Sequence, residues 1–279
     1  MKTFIRYPGN KSRHLKHILP HIPTDFKTYI EPFVGSGALF LSLKPRKWII
    51  NDKNTDLIIL WNLVNDNPRY IIDFIRKFYT YFQTKLKTNE ERLLYCRKKT
   101  EQLNNLDPSF KKSCTILVLT FCVYMGTLIN KDRFYFNGLD NKIYYNKSLF
   151  FIKQEYFDRL LKAHRYLQES NGKIMNEDFK QVLSKAKKGD FVFLDPPYQE
   201  DHRYNFQYNI NDRSESNIKF VDELKEELRI LDRKGIKWLM TQADTEQIRK
   251  KYKEYSIISF PVYRLNNRTY KKELIIKNF

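Results

Sequence analysis

Apolar positions recur at two different spacings along this chain, and the change from one to the other divides it. Thr28-Tyr29-Ile30-Glu31 reads as a strand and Phe33-Val34-Gly35-Ser36-Gly37-Ala38 as a tight glycine turn. Leu39 to Leu43 then begins a helix, and Lys47-Trp48-Ile49-Ile50 is a second short strand that ends at Asn51-Asp52. Ahead of these, Ser12 to Leu19 predicts a short amphipathic helix behind a Pro-Gly-Asn turn, with Ser12 as its cap. Strand, glycine turn, helix and a strand with an acidic end predict a parallel, doubly wound α/β sheet.

From about Asp56 the spacing becomes helical. Ile58, Leu60, Trp61 and Val64, then Ile71, Ile72, Phe74, Ile75 and Phe78, fall on helix faces, as do positions within Glu90 to Leu106 and Lys111 to Met125. Three or four helices are expected there. Asn130 to Asn146 carries Asn137-Gly138 and Asp140-Asn141 between aromatic residues, a hairpin or extended-loop signature. Helical spacing resumes at Gln154 to Gln168. Farther on, Phe191-Val192-Phe193-Leu194 is a continuous apolar run, as a fully buried strand requires. Ser216 to Leu231 is a further amphipathic helix, Ile236 to Thr241 another strand, and Tyr255 to Tyr263 with Lys272 to Ile276 a closing antiparallel pair. The expected organisation is one α/β domain, residues 1–55 and 152–279, interrupted by a mostly helical insertion at 56–151.

Composition narrows the classes. With 15% aromatic residues in 279, the chain can bury enough apolar surface to offset chain entropy, which argues against disorder. The longest strongly apolar run, Cys114 to Met125, is short of the roughly 18–20 residues of a membrane-spanning helix. Tyr7-Pro8-Gly9 interrupts the amino-terminal segment before a signal-peptide core could form. Cys96, Cys114 and Cys122 make neither a zinc-type pair of motifs nor an even disulfide set, so they read as buried thiols in a reducing compartment. The five histidines (14, 17, 21, 164, 202) are scattered, and no metal-ligand cluster is expected. A formal net charge of +19 suits nucleic acid or an anionic membrane surface, and also a Lys-rich compositional habit.

Three segments carry candidate chemistry. Asp195-Pro196-Pro197-Tyr198 directly follows the buried strand, where parallel sheets place ligands. Two prolines donate no N–H and hold the preceding residues extended, so a carboxylate, exposed carbonyls and an aromatic face share one stiff loop. An exocyclic amine conjugated into a base ring is a poor nucleophile because its lone pair is delocalised. Accepting both its hydrogens, on the Asp195 side chain and the Pro196 carbonyl, favours a pyramidal nitrogen, and Tyr198 can stack on the extruded base. Glu31-Pro32-Phe33-Val34-Gly35-Ser36-Gly37-Ala38 lets backbone approach a ligand closely, and Asp52 at the end of the next strand is placed to accept from ribose hydroxyls. The turn lacks the Gly-Lys-Ser/Thr ending of a P-loop. Tyr7-Pro8-Gly9-Asn10-Lys11 is the third segment; alone it reads equally as a plain turn.

Together these segments resemble the Dam-type (α-group) DNA adenine-N6 methyltransferases, over nearly the whole chain. Tyr7 and Lys11 match the family's opening segment, Phe33 to Gly37 its cofactor loop, Asn51-Asp52 its Asn-Asp or Ala-Asp pair and Asp195 to Tyr198 its amine-binding loop; Gly189 to Val192, Arg268 and Glu273-Leu274 look like its phage members. The resemblance implies a Rossmann-like methyltransferase sheet with an inserted, mostly helical target-recognition domain. It implies S-adenosyl-L-methionine as cofactor, contacted by Tyr7, Lys11, Gly35, Asp52 and Asp195, with the target adenine at Asp195, Pro196, Pro197 and Tyr198. It implies double-stranded DNA as partner, no metal, and a cytoplasmic or other reducing compartment with access to DNA. Asn130 and Arg133 fall where members carry a base-reading hairpin. Leu128 stands where many members have Arg, so the resemblance carries no recognition sequence, and Thr241-Gln242 replaces the usual Ser-Asn. The alternatives are an amino methyltransferase of RNA or a protein amide, and a non-catalytic DNA-binding relative. The order of motifs favours DNA adenine, and the intact Asp52, Asp195 and Tyr198 favour catalysis.

Overall fold

A computed structural model describes residues 1–5, 7, 9–122, 129–130, 133–134, 154–198, 215–264 and 269–279. Its strands are β1 (Tyr29–Glu31), β2 (Lys47–Asn51), β3 (Ile129–Asn130), β4 (Arg133–Phe134), β5 (Asn171–Met175), β6 (Phe191–Leu194), β7 (Lys237–Ala243), β8 (Ser256–Arg264) and β9 (Thr269–Lys277). β3 and β4 pair as a separate antiparallel ribbon; the other seven form one sheet in the order β5-β2-β1-β6-β7-β9-β8. β5 through β7 in that order run parallel, while β9 is antiparallel to β7 and β8 to β9. The chain moves outward from β1 to β2 and β5, then starts again on the other side with β6 and β7. The order therefore reverses between β1 and β6, and a crevice opens there at the carboxyl ends of the strands.

The sheet is covered on both faces, as the apolar runs require. Strand alternation sends Phe191, Phe193, Leu239 and Ile275 into one core and Val192, Leu194, Trp238, Met240, Leu274 and Ile276 into the other. Against the first lie α1 (Leu15–Ile18), α2 (Ala38–Leu43), α3 (Thr55–Asp66), α4 (Pro68–Thr84), α6 (Phe110–Thr120) and α7 (Gln154–Glu169). Against the second lie α8 (Phe179–Leu183), α9 (Glu215–Arg233) and α10 (Glu246–Lys251). α5 (Asn89–Leu103) instead joins the far ends of α4 and α6 around Phe82, Leu93, Cys96, Leu103, Leu119 and Cys122. The three cysteines are free thiols and buried.

The helices begin where side chains satisfy orphan amides. Asn54 accepts from Leu57 N and Asn67 from Tyr70 N, with Pro68 at the first position of α4. Thr88 and Glu91 form a reciprocal capping box on α5, and Ser109 caps α6. At the amino terminus the cap is Asn10 rather than Ser12: Asn10 Oδ1 accepts from Ser12 N, and residues 11–13 form a 3-10 turn ahead of α1.

Helices stand where helical spacing predicts them from residue 55 to 120. The expected boundary at residue 55/56, however, marks no gap in packing. Leu57, Trp61, Ile71 and Leu117 share a core with Tyr29, Trp48 and Phe193, so the first part of the expected insertion forms a layer on the sheet. β5, α8 and α10 add to the predicted elements. β5 is a polar edge strand, and its Gly172 sits directly under the Trp48 indole, where a Cβ would come within 2.0 Å of the ring. The 129–134 ribbon stands at the start of the expected hairpin, with β4 beside α5. Leu128, Arg268 and the Asn137-Gly138 and Asp140-Asn141 turns lie outside the described residues.

Trp61 closes the first core under the glycine turn. It is fully buried, packs edge-on against Phe4 and Phe40 at 5.1 and 5.9 Å between ring centroids, and donates to Gly35 O at 3.2 Å. Trp61→Ala is expected to cost about 3–5 kcal/mol of stability, measured by urea unfolding.

Candidate active site

β1 ends at Glu31, and the turn that follows reverses the chain only because two of its residues can take left-handed backbone. Gly35 and Gly37 have φ of 48° and 65°. A Cβ on Gly37 would come within 2.5 Å of Trp61, so no other residue fits there without moving the indole. Asp52, just beyond β2, is 1% exposed and holds the turn from below, accepting from Gly35 N and from Asn54 N, each at 3.0 Å. Asn51 beside it donates to Pro32 O and Glu177 O and accepts from Glu177 N, tying together the loops after β1, β2 and β5. The Tyr7 ring lies over the turn: a Cβ added to Gly35 would stand 3.3 Å from Tyr7 Cδ1.

Across the switch point, Asp195-Pro196-Pro197-Tyr198 leaves the end of β6. Lys11, 7% exposed, reaches into this loop from the amino-terminal turn. Its Nζ lies 3.0 Å from Asp195 Oδ1 and 3.6 Å from Glu273 Oε2, and donates to Tyr198 OH at 2.9 Å. Tyr198 OH in turn donates to Glu273 Oε2 at 3.2 Å. Thr241, fully buried on β7, donates to Asp195 Oδ1 at 2.7 Å. Every contact described for Asp195 thus falls on Oδ1. His14 Nδ1 is 3.4 Å from Glu273 Oε2, so one imidazole also faces this cluster.

The electrostatics follow from burial opposed by pairing. Burial would lower the Lys11 pKa, but Asp195, Tyr198 and Glu273 hold it well above the usual lysine range. Burial also pushes Glu273 up, and Lys11, His14 and Tyr198 overcome it, leaving the carboxyl at about 2. Asp195 stays raised because burial outweighs the relief from Lys11 and Thr241. Glu31 is raised well above the carboxylate range, by burial first and then by Asp195 and Asp52, against the hydrogen bond that Tyr29 OH donates at 2.8 Å. Among the described residues no cation pairs with Glu31. The edge of the sheet therefore concentrates buried carboxyls and would favour a bound cation.

Of the residues singled out from sequence, Tyr7, Gly35 and Asp52 meet at the turn, and Lys11, Asp195, Pro196, Pro197 and Tyr198 at the loop. Asn130 and Arg133 are backbone partners closing the β3–β4 ribbon, whose side chains lie outside what is described. His14 faces the Lys11 cluster as well, and Glu31, Thr241 and Glu273 belong to the site although the sequence reading gave them no role in it. Their signal was a polar residue inside an apolar strand pattern. Lys112, on α6, is buried, pairs with Asp56 at 3.5 Å and donates to Leu106 O. Among the described residues, no group of three or more His, Cys, Asp or Glu is placed to hold a metal ion, and no helix is long and apolar enough to cross a membrane.

A family model described as D12 class N6 adenine-specific DNA methyltransferase matches residues 7–264. The chain is 26% identical to the Type II methyltransferase M1.LlaDCHI of Lactococcus lactis subsp. cremoris, over 100% of this chain and 96% of that one. It is 26% identical to the DNA adenine methylase of Serratia marcescens, over 92% of this chain and 88% of the relative. To the DNA adenine methylase of Haemophilus influenzae it is 28% identical, over 71% of this chain and 64% of the relative.

Lys11→Met tests the cluster. It leaves two buried carboxyls without their cation and is expected to cost about 3–5 kcal/mol. Without the ammonium, the folded-state pKa of Asp195, already raised, rises further, and that of Glu273 rises above its unfolded value. The loss is then largest near neutral pH and shrinks as pH falls toward the ordinary carboxylate range of about 4. Urea unfolding at several pH values measures both.

Proposed function

This chain belongs to the D12 class N6 adenine-specific DNA methyltransferases, and from that premise we propose how its residues divide the work. The chain methylates adenine in DNA; the reading concerns which atoms hold the amine and which hold the donor. The observation that carries it is the meeting of Asp195 and Tyr198 with Lys11 at the switch point of the sheet, opposite the glycine turn.

The methyl donor is S-adenosyl-L-methionine, and the residues present suit it. A sulfonium and an ammonium on one small molecule match a site that buries the carboxyls of Glu31, Asp52 and Asp195 close enough for the last two to raise the first. When bound, this cofactor supplies an electrophilic methyl group. Tyr7 and Gly35 form one wall for it, Lys11 another, and Asp52 the acceptor below the turn. Because Lys11 and Thr241 both engage Asp195 Oδ1, Oδ2 is the oxygen that accepts from the adenine N6 amine, and the Pro196 carbonyl accepts the second hydrogen. Holding both hydrogens in the plane of these acceptors draws the nitrogen lone pair out of conjugation. Pro196 and Pro197 keep the acceptors fixed, so the acceleration comes from positioning and electrostatics. The Tyr198 ring takes the face of the extruded base, a contact worth about 1–3 kcal/mol.

The 56–151 insertion, with Asn130 and Arg133 at its ribbon, reads the DNA, and the basic surface meets phosphate. The setting is a reducing compartment with access to DNA, in keeping with three buried free thiols.

Incubation with labelled cofactor and unmethylated duplex, followed by digestion to nucleosides, should place the label in N6-methyldeoxyadenosine; label confined to RNA or protein would refute the reading. Asp195→Ala should lower turnover at least about a hundredfold while DNA affinity changes little, because the carboxylate acts on the amine and not on phosphate. DNA binding should also weaken steeply with salt, by roughly a thousandfold between about 50 and 200 mM if six phosphates are contacted.

A further inference from the structure

Glu273 sits on β9, away from the three segments that carry the candidate chemistry, yet its carboxylate touches Lys11, which holds the amine-binding loop from outside, and Tyr198 within that loop. It accepts from Tyr198 OH, lies 3.6 Å from Lys11 Nζ and 3.4 Å from His14 Nδ1, and is only 6% exposed on its side chain. In register it stands opposite Ala243 on β7 and Phe260 on β8. Phe260 in turn receives the His14 ring edge-on and the His17 ring stacked, at 5.9 and 5.1 Å between centroids. The turn that carries Lys11 is thus seated on the β8–β9 hairpin, and Glu273 is the hairpin's polar contact with it.

We infer that Glu273 is the positioning residue of this active site: it orients the Tyr198 ring through the phenol and divides the Lys11 charge between two carboxylates. The inference rests on the assignment of Asp195 and Tyr198 to the target base.

Two consequences follow from the geometry. A tyrosine ring rotates about two bonds, and a phenol held both by Lys11 Nζ and by a carboxylate has one orientation rather than several. The face offered to the base is then set before the base arrives, which lowers the cost of ordering it. Second, one ammonium shared by Asp195 and Glu273 is drawn less strongly to either. Were Glu273 neutral, the full charge would settle on Asp195, making its carboxylate a poorer acceptor for the amine. Glu273 does not touch the reacting atoms; it acts through Lys11 and Tyr198.

The test uses Glu273→Ala and the isosteric Glu273→Gln in the full chain, with Asp195→Ala as control. Methyl transfer to unmethylated duplex, cofactor affinity and thermal melting are measured. Glu273→Ala is expected to lower kcat at least tenfold, with KM for DNA and cofactor affinity within threefold of wild type and a cooperative melt. Glu273→Gln, whose amide oxygen still accepts from Tyr198, should recover at least threefold of that loss. Its kcat should also hold to lower pH, because Asp195, faced by Lys11, Thr241, Tyr198, Glu31 and the neutral amide, has lost one repelling charge. A kcat within threefold of wild type in the folded Ala variant overturns the inference. So does a Gln variant no more active than Ala that has lost cofactor affinity and thermal stability in parallel, since that is the signature of packing alone. If Asp195→Ala turns over normally, the reading of the site itself fails; if it is inactive while Glu273→Ala is normal, only the present inference fails.

Discussion

One ammonium group in a place almost without water holds the candidate site together. Lys11 Nζ sits among the carboxylates of Asp195 and Glu273 and the phenol of Tyr198, residues drawn from the amino-terminal turn, the loop after β6 and the strand β9. Taking a cation and two anions out of water is costly unless each finds its partner, so the three segments are constrained to meet in one arrangement. The rest of the sheet exists, in this sense, to make that meeting possible. β6 is buried on both faces and delivers Asp195 at a fixed height; β7 delivers the Thr241 hydroxyl beside it; β9 delivers Glu273.

The same economy of charge explains why the opposite side of the switch point looks different. There Asp52 is taken up by backbone amides of the glycine turn, and Glu31 by the Tyr29 hydroxyl. Carboxyls are buried on both sides, but the described cation stands on one. The imbalance gives the site a direction, with a region suited to a positively charged donor beside a region suited to a neutral amine. For a chemistry that moves a methyl group to nitrogen, that gradient matters more than any proton shuttle.

Much of this was legible in the residues. Continuous apolar runs at Phe191–Leu194 and alternation at Ile275 and Leu274 marked buried strands, and the turns and caps marked where they begin and end. β5 was not legible because an edge strand needs little apolar surface; Asn171, Gly172 and Lys173 are exposed, and the reason for Gly172 is the Trp48 ring on the neighbouring strand. That α3 and α4 cover the sheet was not legible, since helical spacing reports that a face is buried but not against what. Within the site, the loop and turn were found because prolines and glycines leave marks in sequence. Glu273 and Thr241 leave only a polar residue within an apolar strand pattern, and His14 not even that, since their roles depend on neighbours contributed by distant parts of the chain. The replacement at Thr241-Gln242 acquires a meaning only in three dimensions, where the hydroxyl reaches Asp195.

The seating of Lys11 has a temporal side. Its Tyr198 partner lies 187 positions away along the chain, and Glu273 lies farther still. Contacts of that span close late, after local helices and neighbouring strands have formed, because the loop entropy must be overcome first. A nascent polypeptide still lacking β9 would carry Lys11 and Tyr198 without the second carboxylate that both of them meet. The buried charge cluster would then be complete only once the last strand of the sheet has paired.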